Sequence, residues 1–77
     1  MIHSLTYLTD ALKQARQTTG LSQRALSDKT GIPQPQISRI EHSGVDLYTS
    51  SLVELARALE LEVMLVPRAS VPAVEAV

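Results

Sequence analysis

The stretch from Gln23 to Glu41 contains two short helical patterns separated by a glycine turn, and it constrains the fold more than any other part of the chain. Ser22 is a suitable N-cap for the first pattern because its hydroxyl can accept from a backbone N–H of the first turn. Gly31 stands where a helix ends in a left-handed residue. Pro33 and Pro35 suit only the first turn of a helix, so a second helix is predicted to begin there. Two helices joined by a short turn containing glycine predict a helix-turn-helix.

The apolar residues of this stretch predict which face of each helix is buried. Four of them, at helical spacing, are expected to form one small core: Leu26, Ile32, Ile37 and Ile40. The opposite side of the second helix then carries Pro35, Arg39 and His42, flanked by Gln36 and Ser38. Arginine bonds guanine and glutamine bonds adenine in the major groove of DNA, and serine bonds either base. The outward face therefore predicts DNA binding.

At these residues the sequence LSQRALSDKTGIPQPQISRIE resembles the DNA-binding core of the Cro/C1-type (xenobiotic-response-element, phage-repressor) helix-turn-helix family. The resemblance implies a mostly α, lambda-repressor-like domain of four helices that binds double-stranded DNA. It also implies that Gln23, at the start of the first helix of the motif, touches the DNA backbone and supports the other helix, the recognition helix. Two departures are Pro33, where the family commonly has a Ser or Thr cap, and Pro35, where a polar side chain often contacts DNA. The expected DNA-binding residues are Ser22, Gln23, Gln34, Pro35, Gln36, Ser38 and Arg39.

Composition restricts the possible functions. The 77 residues form one small domain with a net charge of −1 and no cysteine, which excludes disulfides and thiol catalysis. No apolar run is long enough for a membrane span and no signal-peptide pattern is present, so we expect a soluble, cytoplasmic protein. His3 and His42 are far apart and belong to no catalytic or metal-binding arrangement. We therefore expect no catalytic residue, metal or cofactor, and no enzyme activity.

The charges are distributed unevenly. Through His42 there are five basic and three acidic residues, and after it two basic and five acidic residues. The first part is therefore expected to face DNA, and the acidic part a partner protein. Lys13 and Arg16 are candidate phosphate contacts, with a solvated helix face as the alternative. Glu41 is expected to bond to the backbone or to an arginine near the turn, and His42 either to contact phosphate or to face solvent.

Two further helices are predicted around this motif. The first covers residues 4 to 19, ends at Gly20, and has an apolar stripe of Leu5, Leu8, Leu12 and Ala15. Ser51 and Glu54 fit a capping box, so the fourth helix is expected to begin there and to end at about residue 59 or 60. Its inward residues are Leu52, Leu55, Ala56 and Leu59.

The segment Leu61 to Val66, LEVMLV, interrupts the helical pattern and predicts a short strand that Pro67 ends. An apolar strand without a partner would be unstable, so we expect it to pair with the same strand of a second copy. An extended tail packed on its own domain is the alternative. The predicted dimer interface is Leu61, Val63, Met64, Leu65 and Val66. The domain limits are then 1–60 for the helix-turn-helix domain, 61–67 for the dimerisation strand and 68–77 for a tail, either disordered or a docking peptide.

A strand of this kind after a Cro-like domain resembles the HipB-type antitoxins. That resemblance implies a homodimer on a palindromic operator, a HipA-like Ser/Thr kinase toxin as partner, and repression of their shared operon. Two alternatives stay open: a stand-alone phage-repressor-like regulator, and a protein–protein adaptor that does not bind DNA. No membrane association is expected.

Overall fold

The structure, a computed structural model, describes residues 4–45 and 47–70 of the chain. This part folds into four α-helices and one short 3-10 turn. The helices are α1 (Ser4–Thr18), α2 (Gln23–Thr30), α3 (Gln34–Ser43) and α4 (Thr49–Ala58), and the 3-10 turn is Arg68–Ser70. The predicted four-helix, mostly α fold is confirmed.

The helix-turn-helix has the capping residues that the sequence predicts. Ser22 has an extended backbone, and its Oγ accepts from the N–H of Ala25 at 2.9 Å. Gly31 and Gly44, both at φ 79°, end α2 and α3 in the left-handed region, where glycine carries no Cβ penalty. Pro33 occupies the N-cap of α3 and provides no side-chain hydrogen bond, as its departure from the family pattern implies.

One aliphatic core holds the helices together. Its fully buried side chains are Leu26, Ile37, Ile40 and Leu55, and Leu12, Ile32 and Leu59 complete the cluster. The four residues predicted to meet inside the helix-turn-helix are all in this core. The stripe of α1 contributes Leu12 and the half-buried Ala15, while the side chain of Leu5 lies outside the described residues.

The predicted start of α4 is wrong. The helix begins at Thr49, with Tyr48 as an N-cap that makes no side-chain hydrogen bond, so Ser51 is the third residue of the helix. Ser51 is 8% exposed and faces the core side, and Glu54 pairs with Arg57. The predicted capping box does not form, since both of its residues lie inside the helix.

The end of α4 redirects the chain without a glycine. Glu60 adopts φ 59°, its N–H donates to Arg57 O at 3.2 Å, and the N–H of Leu61 donates to Ala56 O at 2.7 Å. These two bonds form a Schellman motif with a glutamate in the left-handed position. Lys29 reaches the same helix end, with Nζ 3.2 Å from Ala58 O, where a positive charge complements the helix dipole.

Residues 61–67 form no strand within the single chain. They run beside α1 and α4 and border an apolar groove of about 360 Å³, whose lining includes Tyr7, Leu52 and Met64. Met64 is 71% exposed and Leu65 is completely exposed, so these two side chains are not buried on the domain, whereas Val66 is half-buried. Pairing across a dimer requires a second chain and stays a prediction. Of the predicted tail, residues 71–77 lie outside the described part. None of the described helices is long and apolar enough to cross a membrane.

Candidate DNA-binding site

The outward face of α3 is the surface that the sequence assigns to the major groove. Ile37 and Ile40 are 1% and 0% exposed, so the helix is fixed in rotation about its axis and its other side faces outward. That side exposes Gln34, Pro35, Ser38 and Arg39, four of the predicted contact residues, together with His42.

Gln36 is placed differently from the other predicted contacts on α3. Its side chain is half-buried, and its Nε2 lies 3.5 Å from the Oγ of the buried Ser51 on α4. The amide therefore lies against α4 at the edge of the recognition face.

The first turn of α2 provides the remaining two predicted contacts. Ser22 is exposed while it caps the helix, and Gln23 is half-buried with its Nε2 donating to Glu41 Oε1 at 3.0 Å. Gln23 thus joins the start of α2 to the last turns of α3. The N-terminal end of α2 carries the partial positive charge of the helix dipole, which suits a phosphate oxygen.

An ion pair between α1 and α3 fixes the recognition helix to the rest of the domain. Arg16 donates from Nε to Glu41 Oε2 at 2.6 Å, from Nη2 to Glu41 Oε1 at 3.0 Å, and from Nη1 to Leu21 O at 2.9 Å. The side chains of Arg16 and Glu41 are only 12% and 6% exposed. Bidentate geometry of this kind is the strongest form of a charge-assisted hydrogen bond.

The ion pair shifts the pKa of both partners. Burial alone would raise the pKa of Glu41, but hydrogen bonds from Arg16 and Gln23 and the charges of Arg16 and Lys13 outweigh it and hold that pKa below its ordinary value. The hydrogen bond to Glu41 raises the pKa of Arg16 despite its desolvation. Both side chains therefore stay charged in the folded protein at neutral pH.

This pair corrects one sequence prediction and confirms another. Arg16 is neither a phosphate contact nor part of a solvated face, because its guanidinium is buried against Glu41 and Leu21. The expectation that Glu41 bonds to an arginine near the turn is confirmed. The signal available in the sequence is positional, since Arg16 and Glu41 carry opposite charges and each directly follows a core-facing residue, Ala15 and Ile40.

Comparison with known proteins agrees with this geometry. A helix-turn-helix family profile matches residues 12–64. The uncharacterised HTH-type transcriptional regulator y4dL of Sinorhizobium fredii is 39% identical over 74 residues, 96% of this chain, although the chain spans only 38% of that regulator's length. Antitoxin HipB of Escherichia coli K12 is 34% identical over 64 residues, which are 83% of this chain and 73% of HipB.

Solved structures with the same fold include several HipB complexes. A HipA–HipB–O2–O3 complex contains a chain that matches with a TM-score of 0.78 at 32% identity, covering 88% of this chain and 96% of that one. A HipB–O4 20-mer complex matches with the same TM-score, identity and coverage. The profile match, the HipB relatives and the geometry of α2 and α3 place this chain in the Cro/C1-type helix-turn-helix family of DNA-binding transcription regulators.

Proposed function

We propose that this protein is a sequence-specific, dimeric repressor that binds a palindromic operator, serves as antitoxin to a HipA-like Ser/Thr kinase, and represses the operon that encodes both. The single observation that carries the proposal is the outward face of α3, where Gln34, Ser38 and Arg39 are exposed on a helix whose other face is completely buried.

Each predicted contact has a distinct role on DNA. Arg39 is the candidate for bidentate bonding to guanine O6 and N7, while Gln34 and Gln36 are candidates for adenine and Ser38 for either base. Ser22 and Gln23, at the positive end of α2, are assigned to phosphate, which fixes the register of the recognition helix but carries no sequence information. Two copies related by a two-fold axis would read half-sites about one helical turn apart, which requires an inverted repeat.

Dimerisation is assigned to residues 61–66. Leu61, Val63, Met64 and Leu65 are 38%, 49%, 71% and 101% exposed, so four apolar side chains of this segment are in contact with water. Pairing with the same segment of a second copy would satisfy the backbone and cover these side chains at once.

The kinase partner rests on similarity. HipB is 34% identical, and one matching structure is a complex that contains HipA, HipB and DNA. The acidic residues after His42 are the face that we assign to this partner. The alternative, a stand-alone regulator, is favoured by the 39% identity to the longer regulator y4dL. A HipA-like kinase gene beside this one, and a kinase that co-purifies with the protein, would decide for the antitoxin.

Substitution of Arg39 tests whether the protein binds DNA sequence-specifically. Fluorescence anisotropy titrations against the DNA upstream of the gene should show tight binding to a palindrome, and Arg39→Ala should weaken it by about 1–3 kcal/mol. Arg57→Ala is the matched control because Arg57 is an equally charged, 72% exposed residue on α4, and it should bind like the wild type. Equal losses in both variants, or no preference over random DNA, would contradict the repressor assignment.

Leu65 provides the test of the dimer. Leu65→Asp places a charge in the proposed interface and should yield a monomer by light scattering with the helical circular dichroism retained. Val45→Asp, at another exposed apolar residue (53%), should stay dimeric. A dimer that tolerates Leu65→Asp would place the interface elsewhere.

A further inference from the structure

The first turn of α3 presents an unusual surface to DNA. Pro35 is the second residue of the helix, it is exposed, and it lies one helical turn before Arg39 on the same face. Ile37 and Ile40 fill the opposite, buried face. A helix that enters the major groove by its N-terminal residues brings this turn against the base edges.

Proline at position 35 provides neither a side-chain hydrogen bond nor a backbone N–H in the turn of the helix nearest the bases. The neighbouring Gln36 is half-buried, with its amide 3.5 Å from Ser51 Oγ on the side of α4. The N–H groups of Gln36 and Ile37 donate to Pro33 O at 3.0 and 3.1 Å, so the helix itself uses them. What remains at the centre of this turn is the apolar pyrrolidine ring, with exposed Gln34 and Ser38 beside it.

Among the groups that B-DNA displays in the major groove, the C5-methyl group of thymine is the only alkyl group. The purine edges present donors and acceptors, which would lose water against the ring of Pro35 without gaining a partner, and cytosine has only a hydrogen where thymine has the methyl group. The ring of Pro35 thus favours thymine over the other three bases, because only thymine offers it a methyl group to contact.

We propose that Pro35 reads the C5-methyl group of a pyrimidine, and that this pyrimidine is a thymine at one fixed position of each half-site. The inference rests on the proposed DNA-binding function and adds a specificity determinant to it. A purely structural role for Pro35, as an initiator of α3, makes a different prediction: its replacement would alter stability and leave the methyl dependence unchanged.

Deoxyuridine isolates the methyl group because it keeps every hydrogen-bonding atom of thymine. The probe is the tightest-binding duplex selected by the protein from a randomised pool, with each thymine of the half-site replaced in turn by deoxyuridine. One position should lose about four-fold in affinity, the factor for one buried methyl group, and about sixteen-fold when both half-sites are changed. At that position, a duplex with 5-methylcytosine should bind about four-fold more tightly than one with cytosine, because 5-methylcytosine presents the same methyl group as thymine.

Two proline variants connect the effect to its residue. Pro35→Ser keeps a small residue at the helix start and should bind the thymine and uracil duplexes equally. Pro33→Ser, which removes the adjacent proline at the N-cap, should retain the four-fold preference. Circular dichroism and thermal unfolding of both variants establish that α3 is intact.

The outcomes separate the two levels of the proposal. Tight, sequence-selective binding with equal affinity for thymine and uracil at every position overturns the role of Pro35 and leaves the repressor assignment standing. The same holds if Pro35→Ser keeps the methyl preference. Failure to select any sequence above random DNA overturns the repressor assignment itself, and the role of Pro35 with it.

Discussion

Replacing Glu41 with glutamine tests the ion pair that joins α1 to the recognition helix. The substitution keeps the size of the side chain and removes its charge, which leaves the 12% exposed guanidinium of Arg16 without a counter-ion. Removing one partner of a buried pair typically costs about 3–5 kcal/mol. Since the glutamine oxygen can still accept one hydrogen bond and Arg16 keeps its bond to Leu21 O, we expect Glu41→Gln to lower the free energy of unfolding by about 2–3 kcal/mol. The free energy of unfolding of such a small domain is often only about 3–5 kcal/mol, so this substitution should remove a large part of it.

Glu54→Gln is the matched control. Glu54 and Arg57 also form an ion pair, at 3.2 Å, but their side chains are 48% and 72% exposed. Such surface pairs contribute at most about 1 kcal/mol, and we expect less than about 0.5 kcal/mol here. Urea unfolding followed by circular dichroism measures both variants, at one fixed protein concentration because association would add to the apparent stability. Equal losses in Glu41→Gln and Glu54→Gln would refute the reasoning.

The pH dependence of the stability tests whether the charge of Glu41 causes this loss. The pKa of Glu41 is lowered in the folded state, so the carboxylate stabilises the fold at pH values above its unfolded-state pKa of about 4.3. That contribution is lost as the pH falls through the lower, folded-state pKa. The difference in the free energy of unfolding between wild type and Glu41→Gln should therefore be constant from neutral pH to about pH 5 and should become smaller below it. A gap that persists after all carboxylates are protonated would assign the effect to packing and not to charge.

Three further substitutions have magnitudes that follow from the fold. Ser22→Ala removes the hydrogen bond from Ala25 N and should lower the free energy of unfolding by about 1 kcal/mol. Ser22→Gly, which loses the same bond but is tolerated at an N-cap, should lower it by only a few tenths of a kcal/mol. Glu60→Gly relieves a left-handed non-glycine residue and should raise the stability by about 0.5–1 kcal/mol in the same urea assay. Leu26→Ala, at 1% exposure in the centre of the core, should cost about 2–5 kcal/mol, and a loss below about 1 kcal/mol would contradict the described packing.

The parts of the fold that follow from local rules are predictable from the sequence. Ser22 and Gly31 have the predicted roles because a cap is decided by a few consecutive residues. The start of α4 is not decided locally. Thr49, Ser50 and Ser51 are all good capping residues, but the helix uses none of them, because it begins at Thr49 with Tyr48 as its N-cap.

The site is predictable to a similar depth. The exposed residues of α3 follow from the burial of Ile37 and Ile40, which the apolar spacing indicates. The burial of Arg16 does not follow, because its partner Glu41 is 25 residues away and the contact depends on how α1 packs on α3. The predicted strand at residues 61–66 stays a prediction, because its pairing requires a second copy of the chain.

The buried pair also limits the electrostatic attraction between this protein and DNA. Five basic residues precede Ser43, but Arg16 is buried against Glu41 and Arg39 is assigned to a guanine, so the candidates for phosphate contact are Lys13, Arg24 and Lys29. Three contacts per copy and two copies give a slope of log K against log salt of at most about −5. A steeper slope would require cations from outside the helix-turn-helix, and a slope near −3 would indicate binding by one copy. With so few cations, tight operator binding must come from base contacts made twice, and this is why we expect the dimer and the repressor function to be lost together in Leu65→Asp.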